Sequence, residues 1–235
     1  MIDLNLEDFP RKQITDIDGL NEAIFKSTNY KFKNNSLLRI ALSHPSLQIH
    51  HTQTYERFEF LGDSILNMFV CAILFKLFPD EDEGALAQRK RALICGSTLA
   101  DVAREIKLGK FLMMSKDERM KGGQQRENNL EDALEALVAA IYLDGGLDNA
   151  KTFVYRYWYK LAQSMLNLDP PIDFKSALQE WTQQQGLPLP KFKMTRQTGP
   201  KHSPKFTVSL RVQKFDLINA CASTIKAAEQ EAAKI

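Results

Sequence analysis

The sequence predicts an all-helical domain followed by a small α+β domain whose elements run helix, three strands, helix. Apolar residues recur at spacings of three and four through about the first 165 residues, which is typical of amphipathic helices. The adjacent prolines within Asn167–Asp173 exclude a continuous helix there and favour a short extended linker. We therefore predict a first domain at residues 1–166, a linker at 167–172 and a second domain at 173–235.

Helices of the first domain are predicted wherever the apolar residues keep a helical period. Ser36 is placed to cap the second segment, and Gly145-Gly146 ends the fifth, since glycine commonly follows a helix. The segments in order are LNEAIF, SLLRIALSH, DSILNMFVCAILFKLF, GALAQRKRALICGSTLADVAREI, NLEDALEALVAAIYLDGG and LDNAKTFVYRYWYKLAQSML.

The second domain begins with a predicted helix, FKSALQEWTQQQG, that ends at Gly186. Three segments that resemble strands follow, and the last segment has a helical pattern again. These four segments are KFKMTRQT, KFTVSLRV, KFDLINACA and TIKAAEQEAAKI. The predicted order is therefore α-β-β-β-α.

The charge of the chain is divided unevenly between the two predicted domains. Residues 173–235 carry 10 Lys and Arg against 5 Asp and Glu, a net charge of +5. Residues 1–172 carry 21 against 24, a net charge of −3. This division suggests that the second domain binds a polyanion and that the first domain binds cations.

Several features favour a cytoplasmic protein without a membrane segment. Cys71, Cys95 and Cys221 are far apart and odd in number, so we expect buried, reduced thiols. The first residues lack the charged-then-apolar pattern of a signal peptide. The longest uninterrupted apolar run, Met68–Phe75, is too short to cross a bilayer.

Two groups of carboxylates stand on apolar helices of the first domain. In the segment ERFEFLGDS, a helical period of about 100° per residue places Glu56, Glu59 and Asp63 within roughly 60° of one another. Asp132 and Glu135, three residues apart, share one face of the later segment EDALEAL. Buried carboxylates are costly unless a proton or a cation neutralises them.

Oxygen ligands of this kind select hard cations such as Mg²⁺ or Mn²⁺, which can clamp an in-line phosphoryl displacement. The alternative is that the acids make ordinary surface salt bridges, and we favour the metal because two acidic helices occur in one domain. A di-iron bundle would add Glu-x-x-His motifs, but Val138 stands three residues after Glu135. Zinc is disfavoured because the adjacent His50 and His51 lack ligand spacing.

The segment YERFEFLGDSIL resembles the signature of the ribonuclease III family of double-stranded-RNA endonucleases. Three further segments match other blocks of that family in order: ALSHPS, DEGALAQRKRALICGSTLA and LEDALEALVAAIYLDGG. The second domain resembles a double-stranded-RNA-binding domain. The resemblance covers the chain beyond about its first dozen residues and implies an all-α nuclease domain that works as a homodimer, cutting one strand at each of two sites.

The resemblance also implies roles for individual residues. Glu59, Asp63, Asp132 and Glu135 correspond to the metal-site carboxylates, with Asp63 and Glu135 central to catalysis. The supporting acids are Glu56, the first acid of the signature, Glu83 near the subunit interface and Glu118 at the cleavage region. Phe60 matches the residue that enters a socket of the partner subunit.

The family implies hydrolysis with Mg²⁺, for which Mn²⁺ can substitute, to 5′-phosphate and 3′-hydroxyl ends. A protein nucleophile is not required, and Ser64 beside the acids has no histidine base near it in sequence. Processing of ribosomal RNA precursors and other structured transcripts is the role that the family suggests.

In the second domain, Gln179 and Glu180 of the first helix and His202 in the loop GPKHSPKF are expected to probe minor grooves. In members of the family, paired lysines at the start of the last helix usually contact the phosphates. Here Ile225 stands in place of one lysine and only Lys226 remains.

Ala220 and Ala222 likewise replace the glycines that are usual ahead of that helix. Each lost phosphate contact lowers salt-dependent affinity, so we expect this domain to bind duplex RNA weakly by itself. A competing hypothesis is a non-catalytic RNA-binding protein that uses the helical domain only to dimerise. The four metal-site carboxylates argue against it, because a protein that only binds RNA has no use for them.

Overall fold

The computed structural model describes residues 17–170, 173–200, 204–213 and 215–235. The chain divides into two compact units, Met1–Pro170 and Pro171–Ile235. The first unit is helical, and the second has the order helix, three strands, helix, so the predicted fold class is confirmed.

The helices of the first unit follow the apolar segments of the sequence, with short 3₁₀ turns between some of them. Their bounds are α1 Ile17–Thr28, α2 Asn35–Ala41, α3 Glu56–Leu77, α4 Glu83–Leu93, α5 Gly96–Glu105, α6 Lys116–Met120, α7 Glu127–Gly145 and α8 Leu147–Gln163.

Helix α7 is the centre of the first unit, and α2, α3, α5 and α8 pack around it. Its residues from Ala133 to Ile141 are all buried, which explains why every residue of this segment except Glu135 is apolar. Helix α3 turns Leu66, Val70 and Leu74 into the same core. The two helices that carry the predicted acids are therefore direct neighbours.

Gly62 sets how closely α3 and α7 approach each other. A Cβ atom built on Gly62 would lie 1.8 Å from the carbonyl oxygen of Glu135 and 2.4 Å from its carbonyl carbon. Only glycine lets two helix backbones meet at such a distance. The glycine lies between Glu59 and Asp63 in sequence, so the closest point of the helix pair coincides with the acids.

Two details of the helices differ from the sequence prediction. The long segment that begins at Gly84 is broken, because Cys95 is extended and separates α4 from α5. The indole of Trp158 donates to the carbonyl of Leu93 at this break, with a nitrogen–oxygen distance of 2.9 Å. The cap of α2 is Asn34, whose side chain accepts from the backbone N–H of Ser36, the residue predicted as the cap.

The cysteine prediction is wrong in one respect, because Cys71, Cys95 and Cys221 are all exposed. Cys71 lies on an outer face of α3 that is also apolar, with Phe60 and Phe75 exposed on the same helix. An apolar stripe in sequence does not say whether the protomer's own core covers it.

By length and composition α3 could span a membrane, although the helix packs against α7 and α8 of the same unit. Core helices of soluble proteins meet the same criterion, so composition alone assigns no membrane segment.

The second unit is a three-stranded antiparallel sheet that contacts the last of its two helices. Strand order is β1-β2-β3, with a bulge between Met194 and Arg196, and Leu210 and Val212 lie in its small core. An ion pair between Lys175 Nζ and Glu229 Oε2, 2.5 Å apart, links the two helices of this unit. The bounds are α9 Phe174–Gln184, β1 Lys191–Thr198, β2 Lys205–Arg211, β3 Ile218–Ala222 and α10 Ile225–Lys234.

Candidate active site

The acids of α3 and α7 meet beside the close contact at Gly62. Glu59 and Asp63 lie on the first two turns of α3, and Asp132 and Glu135 lie on α7. Glu135 is only 9% exposed, Glu59 and Asp132 are partly buried, and Asp63 faces solvent. The structure therefore places the four carboxylates predicted to form the site on facing parts of two neighbouring helices.

Burial and the charges of neighbouring acids both raise the pKa values of these carboxyls. Burial, followed by the charges of Asp63 and other acids, raises the pKa of Glu135 to about 8. Burial, followed by the charge of Asp132, raises the pKa of Glu59 to about 7. The pKa of Asp132 is also raised, chiefly by burial. A cation placed among these groups would favour their charged forms.

Two of the four carboxylates are held by neutral donors. The side-chain amide of Asn67 donates to Asp63 Oδ1 at 2.6 Å, and the hydroxyl of Tyr55 donates to Asp132 Oδ2 at 3.2 Å. Within the part of the chain that the structure describes, Glu59 and Glu135 accept no side-chain hydrogen bond and form no ion pair. Glu135 is thus a nearly buried carboxyl without a protein cation.

Glu131 is an acid of this cluster that the sequence analysis missed. Burial, followed by the charges of Asp132, Glu127 and Asp63, raises the pKa of its carboxyl. Its side chain covers the first residue of α5, where a Cβ on Gly96 would collide with it. The available signal was its spacing of four residues from Glu135, which places both on one helix face.

No three Asp, Glu, His or Cys side chains of the described residues lie close enough together to hold one ion as they stand. Asp63 and Asp132 each accept one of the hydrogen bonds described above, and small side-chain movements within the cluster are needed before the carboxylate oxygens converge on one ion. The donor chemistry nevertheless suits Mg²⁺ or Mn²⁺, because every donor is a carboxylate oxygen.

The supporting acids lie in three different surroundings. Glu56 accepts from the hydroxyl of Thr54 at 2.9 Å, and its charge raises the pKa of Glu59. Glu118 pairs with Arg126 at 2.8 Å, close to the start of α7. Glu83, in the first turn of α4, lies away from the cluster and lines a groove with Phe75 of α3.

The predicted RNA-binding residues belong to the second unit. Gln179 is partly buried on α9, whereas Glu180 on the same helix and Lys226 on α10 are exposed. Ile225 is 42% exposed at the first position of α10, so it does not belong to the core of that unit. His202 lies outside the described residues.

Comparison with known proteins identifies both units. Residues 34–161 match the family model described as Ribonuclease-III-like, and residues 174–235 match the model described as Double-stranded RNA binding motif. "Ribonuclease 3" of Wolbachia sp. subsp. Drosophila simulans is 54% identical over 221 residues, which cover 92% of this chain and 94% of the relative. The chain belongs to the ribonuclease III family.

Other ribonuclease III proteins match over similar lengths. "Ribonuclease 3" of Ehrlichia ruminantium strain Gardel is 46% identical over 218 residues, covering 92% of this chain and 95% of the relative. A crystal structure of the ribonuclease III nuclease domain from Campylobacter jejuni is 38% identical with a TM-score of 0.56, covering 60% of this chain and 94% of that one. This ribonuclease III chain is an endoribonuclease with a double-stranded-RNA-binding domain, as the resemblance predicted.

Proposed function

We propose that Glu59, Asp63, Asp132 and Glu135 bind Mg²⁺ and that this site hydrolyses double-stranded RNA to 5′-phosphate and 3′-hydroxyl ends. The observation that carries the proposal is the backbone contact between Gly62 and Glu135, which brings acids of two helices together. The raised pKa values of Glu59 and Glu135 support the assignment, because a bound cation would offset both the burial and the repulsion between acids that raise them.

A bound Mg²⁺, for which Mn²⁺ can substitute, supplies activation of water and neutralises charge on the scissile phosphate. The protein residues hold and orient the ligands. Asn67 limits the rotation of Asp63 through its hydrogen bond, and the buried position of Glu135 keeps water away from that carboxyl. We assign the central catalytic roles to Asp63 and Glu135, one from each helix.

Among the supporting acids, we assign Glu56 and Glu118 to the border of the site. Glu56 adds negative charge next to Glu59. Arg126 and Asn129 hold Glu118 near the start of α7, with Asn129 donating to its carboxylate at 3.3 Å. We assign Glu83 to the subunit interface, because it lines the groove beside the exposed face of α3.

We propose that the enzyme works as a homodimer joined through that face. Phe60 is 80% exposed and Phe75 is 73% exposed, and both side chains project from α3. Phe75 lines a groove of about 780 Å³ together with Leu74, Leu86 and Ala87. A two-fold dimer would let each Phe60 enter the groove of the other subunit and cover apolar surface that the protomer leaves in water.

The similar Campylobacter jejuni nuclease domain has a structure described as showing flexibility in a region involved in dimer formation. That description supports an interface of this kind here. Two protomers related by a two-fold axis would present two acid clusters, one for each strand of a duplex.

The second unit is proposed to hold duplex RNA through Gln179, Glu180 and Lys226, together with His202. Its net charge of +5 suits the phosphate backbone. The domain boundaries proposed are 1–166 for catalysis, 167–172 for the linker and 173–235 for RNA binding. We propose a cytoplasmic enzyme that processes ribosomal RNA precursors and other structured transcripts, since such substrates are made inside the cell.

The test is cleavage of a duplex RNA in Mg²⁺ compared with EDTA, with the product ends mapped. Glu135→Gln keeps the shape of the side chain and removes its charge, so cleavage should be lost while RNA binding is retained. Glu105→Gln, a change at an exposed acid of α5, is the matched control and should cleave normally. Normal Mg²⁺-dependent cleavage by Glu135→Gln would remove Glu135 from the mechanism.

A further inference from the structure

Tyr55 connects the two helices that carry the acids. It is the residue immediately before α3, it is only 2% exposed, and its hydroxyl donates to Asp132 Oδ2 on α7 at 3.2 Å. No other hydrogen-bond partner of this hydroxyl occurs in the described residues. The one acceptor that satisfies this buried phenol is therefore a carboxylate of the proposed site.

The surroundings of Tyr55 hold its ring in place. Its backbone N–H donates to the carbonyl of Ser43 at 2.9 Å. The ring of His44 meets the Tyr55 ring edge to face, with 5.6 Å between the ring centres. His44 is itself fixed, because its backbone N–H donates to the carbonyl of Met113 and its Nδ1 accepts from the N–H of Ser46. The phenol therefore cannot swing away from Asp132 without moving this segment.

A phenol suits this position better than a charged donor would. Burial, followed by the charge of Asp132, raises the pKa of Tyr55 far above its usual range, so its hydroxyl keeps its proton at physiological pH. The hydrogen bond lowers the pKa of Asp132 and opposes the effect of burial on that carboxyl. A lysine or arginine would also favour the charged carboxylate, but its positive charge would repel an incoming metal ion.

We propose that Tyr55 is a positioning residue of the metal site: it holds one oxygen of Asp132 and leaves the other oxygen directed toward the cation. This inference rests on the proposed metal site. Partners that orient a metal ligand change metal affinity by about 10–100-fold when they are removed. Tyr55 is not expected to contact RNA or the reacting atoms.

The test is a titration of the full-length protein with Mn²⁺ in the absence of RNA, in which electron paramagnetic resonance measures the bound and free metal. Tyr55→Phe removes the hydroxyl and keeps the buried ring. Tyr30→Phe is the matched control, because the hydroxyl of Tyr30 donates to Asp144 Oδ2 at 2.8 Å in the same unit, and Asp144 is not part of the acid cluster. Each variant loses one hydrogen bond between a phenol and a carboxylate.

We expect Tyr55→Phe to raise the Mn²⁺ dissociation constant at least about tenfold and Tyr30→Phe to change it less than about twofold. In cleavage assays, Tyr55→Phe should raise the Mg²⁺ concentration needed for half-maximal rate and leave the rate at saturating Mg²⁺ nearly unchanged. This split separates positioning from a general loss of structure, which would lower the saturated rate as well.

Unchanged Mn²⁺ affinity in Tyr55→Phe would overturn the inference, and so would equal weakening in both phenylalanine variants. The metal site itself is tested separately with Glu135→Gln. If the wild-type protein shows no Mn²⁺ binding that Glu135→Gln abolishes, the proposed site is wrong and the role of Tyr55 is wrong with it. If the wild type binds and Tyr55→Phe binds equally well, only the inference about Tyr55 fails.

Discussion

Gly62→Ala should separate the two helices that form the active site. The change adds a single methyl group at the point where the backbones of α3 and α7 meet. The new Cβ would lie 1.8 Å from the carbonyl oxygen of Glu135, whereas real Cβ atoms essentially never lie within 3.0 Å of such an atom. About 1.2 Å of movement is therefore required, and the obstructing atoms are backbone, so no side chain can rotate out of the way.

The expected loss of stability follows from two opposing effects. Alanine has a higher helix propensity than glycine, which would stabilise α3 by about 1 kcal/mol. Forcing a methyl group into a close-packed contact costs about 1–3 kcal/mol or more, and a backbone obstruction belongs at the upper end. The net loss is about 2 kcal/mol, which corresponds to a fall in melting temperature of roughly 4–8 °C for a unit of this size.

Calorimetric melting and duplex-RNA cleavage of the variant check this prediction. Displacing reacting groups by about 1 Å can cost 100-fold in rate, so cleavage should fall at least that far. Gly84→Ala is the matched control, because its Cβ would meet only Asp82 Oδ1 at 3.4 Å in helix α4. It should melt at or slightly above the wild-type temperature.

The reasoning about Gly62 is refuted if Gly62→Ala melts no lower than the wild type. Propensity would then be the larger effect, and α3 and α7 would not be in backbone contact in solution. A variant that melts lower and still cleaves normally would show that the contact supports the fold and does not set the spacing of the acids.

Three further predictions concern assembly, RNA binding and pH. Phe60→Ala should weaken the dimer, since truncating a buried phenylalanine costs about 3–5 kcal/mol, and it should leave the melting temperature of the protomer unchanged. Sedimentation measures the dimer, and Met120→Ala, at a residue that is 79% exposed, is the control. In a catalytically inactive background, Ile225→Lys should tighten duplex binding and steepen the slope of log affinity against log salt by roughly 0.7–0.9. Lys226→Ala should weaken binding and make that slope shallower. An unchanged salt titration for Lys226→Ala would contradict the phosphate contact. The raised pKa of Glu135, about 8, means that the folded state binds more protons than the unfolded state above the ordinary glutamate pKa. In EDTA the melting temperature should therefore fall as pH rises from 5 toward 9, and Glu135→Gln should reduce that fall.

Sequence periodicity predicted the acidic faces correctly because helix geometry is local. Spacings of three and four residues place Glu59 beside Asp63, and Asp132 beside Glu135, whatever the rest of the chain does. That the two faces would meet each other is not contained in the periodicity. It came from the family resemblance, and the structure gives its physical basis in the contact at Gly62.

The features that were not predicted depend on tertiary contacts. The spacing of Glu131 from Glu135 places it on the acidic face, but its burial depends on tertiary packing, including its contact with Gly96 of α5. Cys71 is exposed although its helix is apolar, because α3 has more apolar surface than the protomer core covers. The break between α4 and α5 lies where Trp158 of α8 binds the carbonyl of Leu93, a contact 65 residues away in sequence.

The pKa values suggest why the site combines buried acids with neutral donors. Burial and the neighbouring acids raise the pKa of Glu135 to about 8, so without a cation its protonated form is favoured near neutral pH. Binding of a cation would have to displace that proton, so affinity should rise with pH. The hydroxyl of Tyr55 opposes the effect of burial on Asp132, whose pKa is raised, and so favours the charged form of that carboxyl. A cation held by these carboxylates would favour the charged form of each of them, Glu135 included.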